Sequence, residues 1–262
     1  MSMREIFVVF AGLASHVSSR RGRQSGGQMI THIVDLSVPG GHVLPAPFAN
    51  RSLPFHTDPA ADILAMFVVQ PSLSGGHGFF SPVATVYNKL VTHRPDLLHE
   101  LAAPNWPFAG PGAGHQAVIR RPVMFLGPAS GAPEMLFSRG ALIRSASSAA
   151  SMPCLTPAQN AALDAVHFAA RDAACRVEYT AGDVLFVNNR RVLHGRESFH
   201  DGPQLSGSSS GGLKRHMLRL WLQDEEYAGI PPAPIADVWA TRFADHDHKE
   251  HDEGWPLQPN LS

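Results

Sequence analysis

Proline and glycine interrupt this chain so often that long helices have little room. There are 22 prolines and 23 glycines among 262 residues. Between these breaks lie short apolar runs of strand length, and one sustained helical pattern, Pro157 to Arg176. The order is strands, then the long helix, then strands, with no alternating βαβ rhythm. That order predicts a mainly β, antiparallel core of sandwich or barrel type, with helices packed outside it.

The expected strands are Glu5 to Phe10, Gln28 to Leu36, Ile63 to Val69, Val118 to Leu126 (demoted by Pro122 to an edge or bulge), Arg176 to Tyr179, Asp183 to Asn188 and His216 to Gln223. Val83 to Leu90 and Pro95 to Leu101 read as short helices. In the long helix Thr156 is the N-cap, Pro157 takes the first helical position, and Gln159 completes a capping box. Ala162, Val166, Ala169 and Ala173 recur at three- and four-residue spacing, giving one face to pack on a sheet. Pro39 to Pro54, Ser74-Gly75-Gly76 and Gly182-Asp183 are turn chemistry. Leu205 to Gly212 is a flexible low-complexity loop, and the segment from Ala244, with His246, His248 and His251, is a polar tail. The whole chain is expected to be one domain.

Charge narrows the function. Lys and Arg total 21 against 22 Asp and Glu, for a net charge of −1. That balance removes the main physical reason to expect nucleic acid or an anionic membrane as a partner. No run of 18 apolar residues exists to cross a bilayer. Ile6 to Leu13 is apolar after a single Arg4, too thin a basic region for a secretory signal, and its Val8-Val9-Phe10 suits a buried strand. Cys154 and Cys175 are too few for a disulfide framework, so a cytoplasmic location is expected.

Three segments can carry chemistry. In Phe55-His56-Thr57-Asp58, an extended backbone puts His56 and Asp58 on one face. An imidazole and a carboxylate side by side are two thirds of a facial site for a divalent first-row metal. Next, Gly182 to Arg196 runs from a turn through an apolar strand to His194 at its mouth. Finally, Lys214 to Leu222 is a strand with Arg215 and Arg219 on the same face. No acid alternates with them on that strand. An arginine turned into a sheet core is costly unless an anion meets it, and a bound carboxylate fits the guanidinium fork.

Together these segments resemble the Fe(II)- and 2-oxoglutarate-dependent dioxygenases of the taurine dioxygenase (TauD/TfdA) family, in particular its fungal members. The likeness rests on His56-Thr57-Asp58, Ser74-Gly75-Gly76, the Asn-Asn-Arg-Arg-Val-Leu-His-Gly-Arg block ending at Arg196, and Arg-His-Met-Leu-Arg-Leu-Trp-Leu from Arg215. It runs from about Ile6 to Leu222. The resemblance implies a double-stranded β-helix (jelly roll) of the clavaminate synthase-like kind. It implies His56, Asp58 and His194 as iron ligands, Arg215 on the distal carboxylate of 2-oxoglutarate, and Arg219 facing substrate or cosubstrate. Asn189 and Arg196 fall to structural roles. The implied reaction consumes 2-oxoglutarate and O2 and oxidises an aliphatic C–H bond of a small, anionic or amino-acid-like molecule.

Two departures stand out. Relatives carry a Thr or Ser two residues past the Gly-Gly pair to help hold 2-oxoglutarate, whereas Gly78 has no hydroxyl, so Ser81 or Thr85 is the expected substitute. The region before His56 is also short for the family, which leaves open a homodimer, or a catalytically impaired small-acid binding module on the same fold. A zinc hydrolase with the same three ligands suits the arginine pair less well.

Overall fold

The computed structural model describes residues 1–37, 44–109, 118–148, 153–202, 214–224, 226–233, 235–244 and 254–259. The loop 205–212 and the histidines of the polar tail lie outside these residues.

Two antiparallel sheets face one another. In the larger, His216–Leu222 is central. It pairs on one side with Arg21–Gly22 and Ile30–Val34, and on the other with Ile63–Gln70, which pairs in turn with Val184–Asn188. The smaller sheet runs Cys175–Val177, Gly78–Pro82, Val192–Arg196, Leu53–His56.

Period-2 alternation sorts the larger sheet's side chains. Ala65, Phe67, Leu218, Leu220 and Leu222 point outward, where Ile6, Phe7, Phe10 and Ala14 cover them. Leu64, Val187 and Trp221 point inward, towards Phe80 and Val192 of the smaller sheet. Behind the smaller sheet, Phe55 and Leu193 bury against the helices Val83–His93, Pro95–Ala102 and Pro157–Ala173. The capping box at Thr156 and Gln159 is formed, and Ala162, Val166 and Ala169 are buried on the predicted face. The sandwich therefore has helices on both outer faces and a largely apolar seam between its sheets.

Residues 5–10 are not a strand. They belong to the helix Met3–Val17, which starts at a capping box between Ser2 and Glu5. Residues 6, 7, 10 and 14 share a helical stripe that covers the larger sheet, whereas Val8 and Val9, which suggested a strand, face outward. The expected strand Val118 to Leu126 breaks at Pro122 into Val118–Arg121 and Met124–Leu126, each in its own two-stranded ladder. A proline nitrogen cannot donate to a ladder, so the break falls where chemistry requires it. Val192–Arg196 is a strand in its own right, at the centre of the smaller sheet. Its two arginine neighbours and its glycine hid it in the sequence.

Candidate active site

The strands Leu53–His56 and Val192–Arg196 run antiparallel with His56 directly opposite His194, and the two rings sit 4.2 Å apart between centroids. The chain turns sharply after His56. Thr57 donates its backbone N–H to the Phe137 carbonyl at 2.7 Å, and its hydroxyl accepts from Phe137 N at 2.9 Å. Asn189 then clamps the turn: its Oδ1 accepts from Asp58 N at 2.8 Å, and its Nδ2 donates to the carbonyls of Asp58 and Ala61 at 2.9 and 2.8 Å. Asn189 thus shapes the turn, as expected. The result brings one ligand atom each from His56, Asp58 and His194 within 4.8 Å of one another.

The ionisation states suit a cation. Burial holds both imidazoles below their ordinary value; His194 falls to about 3, with the neighbouring His56 adding to the effect. Burial pushes the Asp58 carboxyl up, but Arg219, His194, His56 and a Trp221 hydrogen bond outweigh it and leave the group below its ordinary value. At neutral pH the set is two neutral imidazoles and one carboxylate, the donor form metal binding requires. The His56 Nδ1–H donates to the Pro54 carbonyl at 2.9 Å, which leaves Nε2 with a free lone pair. Three such donors on one side fit a divalent first-row ion with open positions beyond.

The larger sheet supplies the opposite wall. Arg215, Met217, Arg219 and Trp221 alternate onto the inward face. Trp221 Nε1 donates to Asp58 Oδ2 at 2.7 Å, and Arg219 Nη1 lies 3.2 Å from the same oxygen while its Nε donates to Gln24 at 2.7 Å. No acid alternates with Arg219 on its own strand, yet an acid from elsewhere in the chain meets it. Asp58, from another strand's end, is its partner. Arg215 differs: it is only 3% exposed, has no side-chain ion pair among the described residues, and its Nη1 has no hydrogen-bond partner. Burial lowers it only to about 10, so it stays charged.

Ser81 is not part of this site. Phe80 lines the space between the sheets, so its neighbour Ser81, paired opposite Leu193, points to the helix-covered side. Thr85 is exposed on a helix. Arg196 donates to the carbonyls of Ala49 and Arg51, a structural role, while also lining the cavity. Trp221 and Gln24 were missed by sequence reasoning. Trp221 was detectable, because it lies two residues past Arg219 on the same strand face; Gln24, in a Ser, Arg and Gly-rich loop, gave no signal. A cavity of about 350 Å³ opens beside His56 and Asp58, bordered by Phe48, Arg139, Arg219 and Trp221.

A family model described as the taurine catabolism dioxygenase TauD, TfdA family matches residues 3–221. The chain belongs to the TauD/TfdA family. A similar protein, the taurine hydroxylase-like protein SAT17 of Stachybotrys chartarum, is 30% identical over 279 aligned positions, covering 96% of this chain and 65% of its own. An asparagine oxygenase structure superposes with a TM-score of 0.58 at 18% identity over 81% of this chain and 62% of its own. The non-haem iron oxygenase OrfP, solved with Fe and alpha-ketoglutaric acid, gives 0.56 at 16% identity over 84% of this chain and 63% of its own. These likenesses establish the jelly-roll fold of TauD/TfdA proteins, and the chain spans less than two thirds of the length of these relatives.

Proposed function

We propose that this TauD/TfdA-family protein is an Fe(II)- and 2-oxoglutarate-dependent oxygenase of a small, anionic or amino-acid-like substrate. One observation carries the reading. His56, Asp58 and His194 converge within 4.8 Å at a cavity whose facing sheet presents Arg215, a buried guanidinium with an open Nη1. A cation site and an anion grip on opposite walls suit a chelating dicarboxylic acid.

In this reading His56, Asp58 and His194 hold the iron. Trp221 and Arg219 fix the carboxylate of Asp58, and Arg215 binds the distal carboxylate of 2-oxoglutarate through its planar fork. The bound metal and cosubstrate supply the oxidation: O2 converts 2-oxoglutarate to succinate and CO2, with one oxygen atom entering succinate and the other spent on a substrate C–H bond. The apolar filling around the seam, Leu64, Met66 and Phe80, keeps water from the reacting centre. Arg139 and Arg219 border the larger cavity, Arg139 paired with Asp164 and Arg219 with Asp58, so only their remaining N–H groups are left to meet a substrate carboxylate or sulfonate. Solved relatives held with 3-hydroxyasparagine and with hydroxy-arginine support the amino-acid-like class.

The test is a succinate-release screen in air with Fe(II) and 2-oxoglutarate against a panel of amino acids and sulfonates. It is preceded by an anaerobic titration of Fe(II) and 2-oxoglutarate, watched for a weak visible charge-transfer band. A band with succinate release supports the reading. A band with no succinate across the panel points to a binding module, and no band at all rejects the site.

A further inference from the structure

The strand Gly78–Pro82 begins with a residue that has no side chain, and the gap is filled from outside. A Cβ on Gly78 would collide with Tyr179 Oη and sit 3.1 Å from the Phe80 ring. Tyr179 reaches this point because Val177, two residues earlier, pairs directly with Gly78. Gly78 and Phe80 share the inward face, so the phenol enters the seam between the sheets. There it lines the same cavity as His194, Arg196 and Arg215.

Arg215 Nη1 is buried with no hydrogen-bond partner, and the half-buried Tyr179 makes no hydrogen bond through its Oη among the described residues. A phenol O–H and a guanidinium N–H therefore border one cavity with no protein acceptor for either. Leaving the buried guanidinium N–H unmatched is costly, and a carboxylate, with two oxygens and four lone-pair sites, matches it and the phenol at once. Burial pushes the phenol up to about 12, against the pull of Arg215 and Arg196, so it keeps its proton at neutral pH.

We propose that Tyr179 is a cosubstrate-binding residue, its phenol donating to the distal carboxylate of 2-oxoglutarate beside Arg215, in the place Gly78 leaves open. The proposal rests on the oxygenase reading above. It replaces the hydroxyl expected from Ser81, which faces the other way. It also makes Gly78 a functional position, since any side chain there evicts the phenol.

Calorimetric titration of 2-oxoglutarate into the anaerobic, Fe(II)-loaded protein tests it. Tyr179→Phe keeps the ring and removes the donor, and weakens 2-oxoglutarate binding on the order of ten- to a hundredfold, as for a hydrogen bond to a charged group. Fe(II) affinity stays unchanged. Binding of 2-oxobutanoate, which chelates but has no distal carboxylate, is equal in the two proteins. Gly78→Ala, which pushes the phenol aside, shows the same selective loss. Undiminished 2-oxoglutarate affinity in Tyr179→Phe overturns the proposal, as does a parallel loss for both acids. If Fe(II)-loaded wild type binds no 2-oxoglutarate, the oxygenase reading itself falls, a result distinct from a Tyr179→Phe protein that binds normally.

Discussion

Trp221 and Asp58 stand on opposite walls of the seam, yet the indole Nε1 reaches the Asp58 Oδ2 at 2.7 Å. One carboxylate oxygen is thereby committed to the larger sheet, and the other, Oδ1, lies 3.8 Å from His56 Nε2. Outer hydrogen bonds of this kind orient a ligating carboxylate and commonly change metal affinity by about ten- to a hundredfold. Trp221→Phe is expected to weaken Fe(II) binding by that factor with the fold intact, as read by competition against a chromogenic chelator. Equal affinity would show that the indole does not orient the ligand.

Asp58→Ala and His194→Ala are each expected to abolish 2-oxoglutarate turnover, because two remaining donors cannot fix the ion on one face. Succinate production is the measurement, and unchanged output from either variant rejects the three-residue set.

Arg215 and Arg219 share a strand face but have different partners, so their variants should separate. Arg215→Ala leaves the metal set untouched and raises the KM for 2-oxoglutarate by about a hundredfold, the scale of a lost charge-assisted pair. Arg219→Ala frees Asp58 from its closest cation and weakens Fe(II) binding as well. Iron titrations that leave both variants equal to wild type would refute the division.

Arg190 is 1% exposed and is held by Asp62 at 3.2 Å and Glu134 at 2.6 Å, with Trp239 also donating to Asp62. Arg190→Ala leaves buried Asp62 with hydrogen bonds alone and buried Glu134 with only the partly exposed Arg191, so unfolding in urea should show a loss of about 3 kcal/mol. A loss under about 1 kcal/mol would mean that these acids are neutralised in some other way.

A second histidine pair sets the response to acid. His32 Nε2–H donates to the Pro256 carbonyl at 2.7 Å, so its Nδ1 accepts from His216 Nε2–H at 2.8 Å. Burial lowers both imidazoles, His216 to about 4. The unfolded chain therefore takes up protons first as pH falls below about 6.5, and stability drops from there towards pH 4. His56 and His194 act in the same direction in the metal-free protein. Its melting temperature should fall between pH 7 and pH 5, less steeply in His216→Gln. A flat profile in wild type would contradict this.

Much of this was legible in the sequence because its signals are local. The continuous apolar run from Ile63 to Val69 marked one strand, and the four-residue spacing of Arg215 and Arg219 put both on one face of the other. Thr156-Pro157 fixed the start of the long helix. The misses are of two kinds. Residues 5–10 carry β-branched side chains that favour a strand, but a helical stripe and the demand to cover the larger sheet prevailed over that propensity. The partners of Arg219, Asp58 and Gln24, are 161 and 195 residues away along the chain. No spacing rule reaches that far, so the sequence could not say which distant groups meet this arginine. Ser81 failed for the opposite reason: its hydroxyl is of the right type, but strand parity turns it away.

The histidines hang on one hydrogen-bonded ladder and the free guanidinium on the other, with Leu64, Met66 and Phe80 as the filling between. In the proposed reading, the stand-off of the two layers works as a ruler for the carbon chain of the oxo acid. Trimming or enlarging those three apolar groups is the way to retune acceptance of shorter or longer diacids without touching any polar contact.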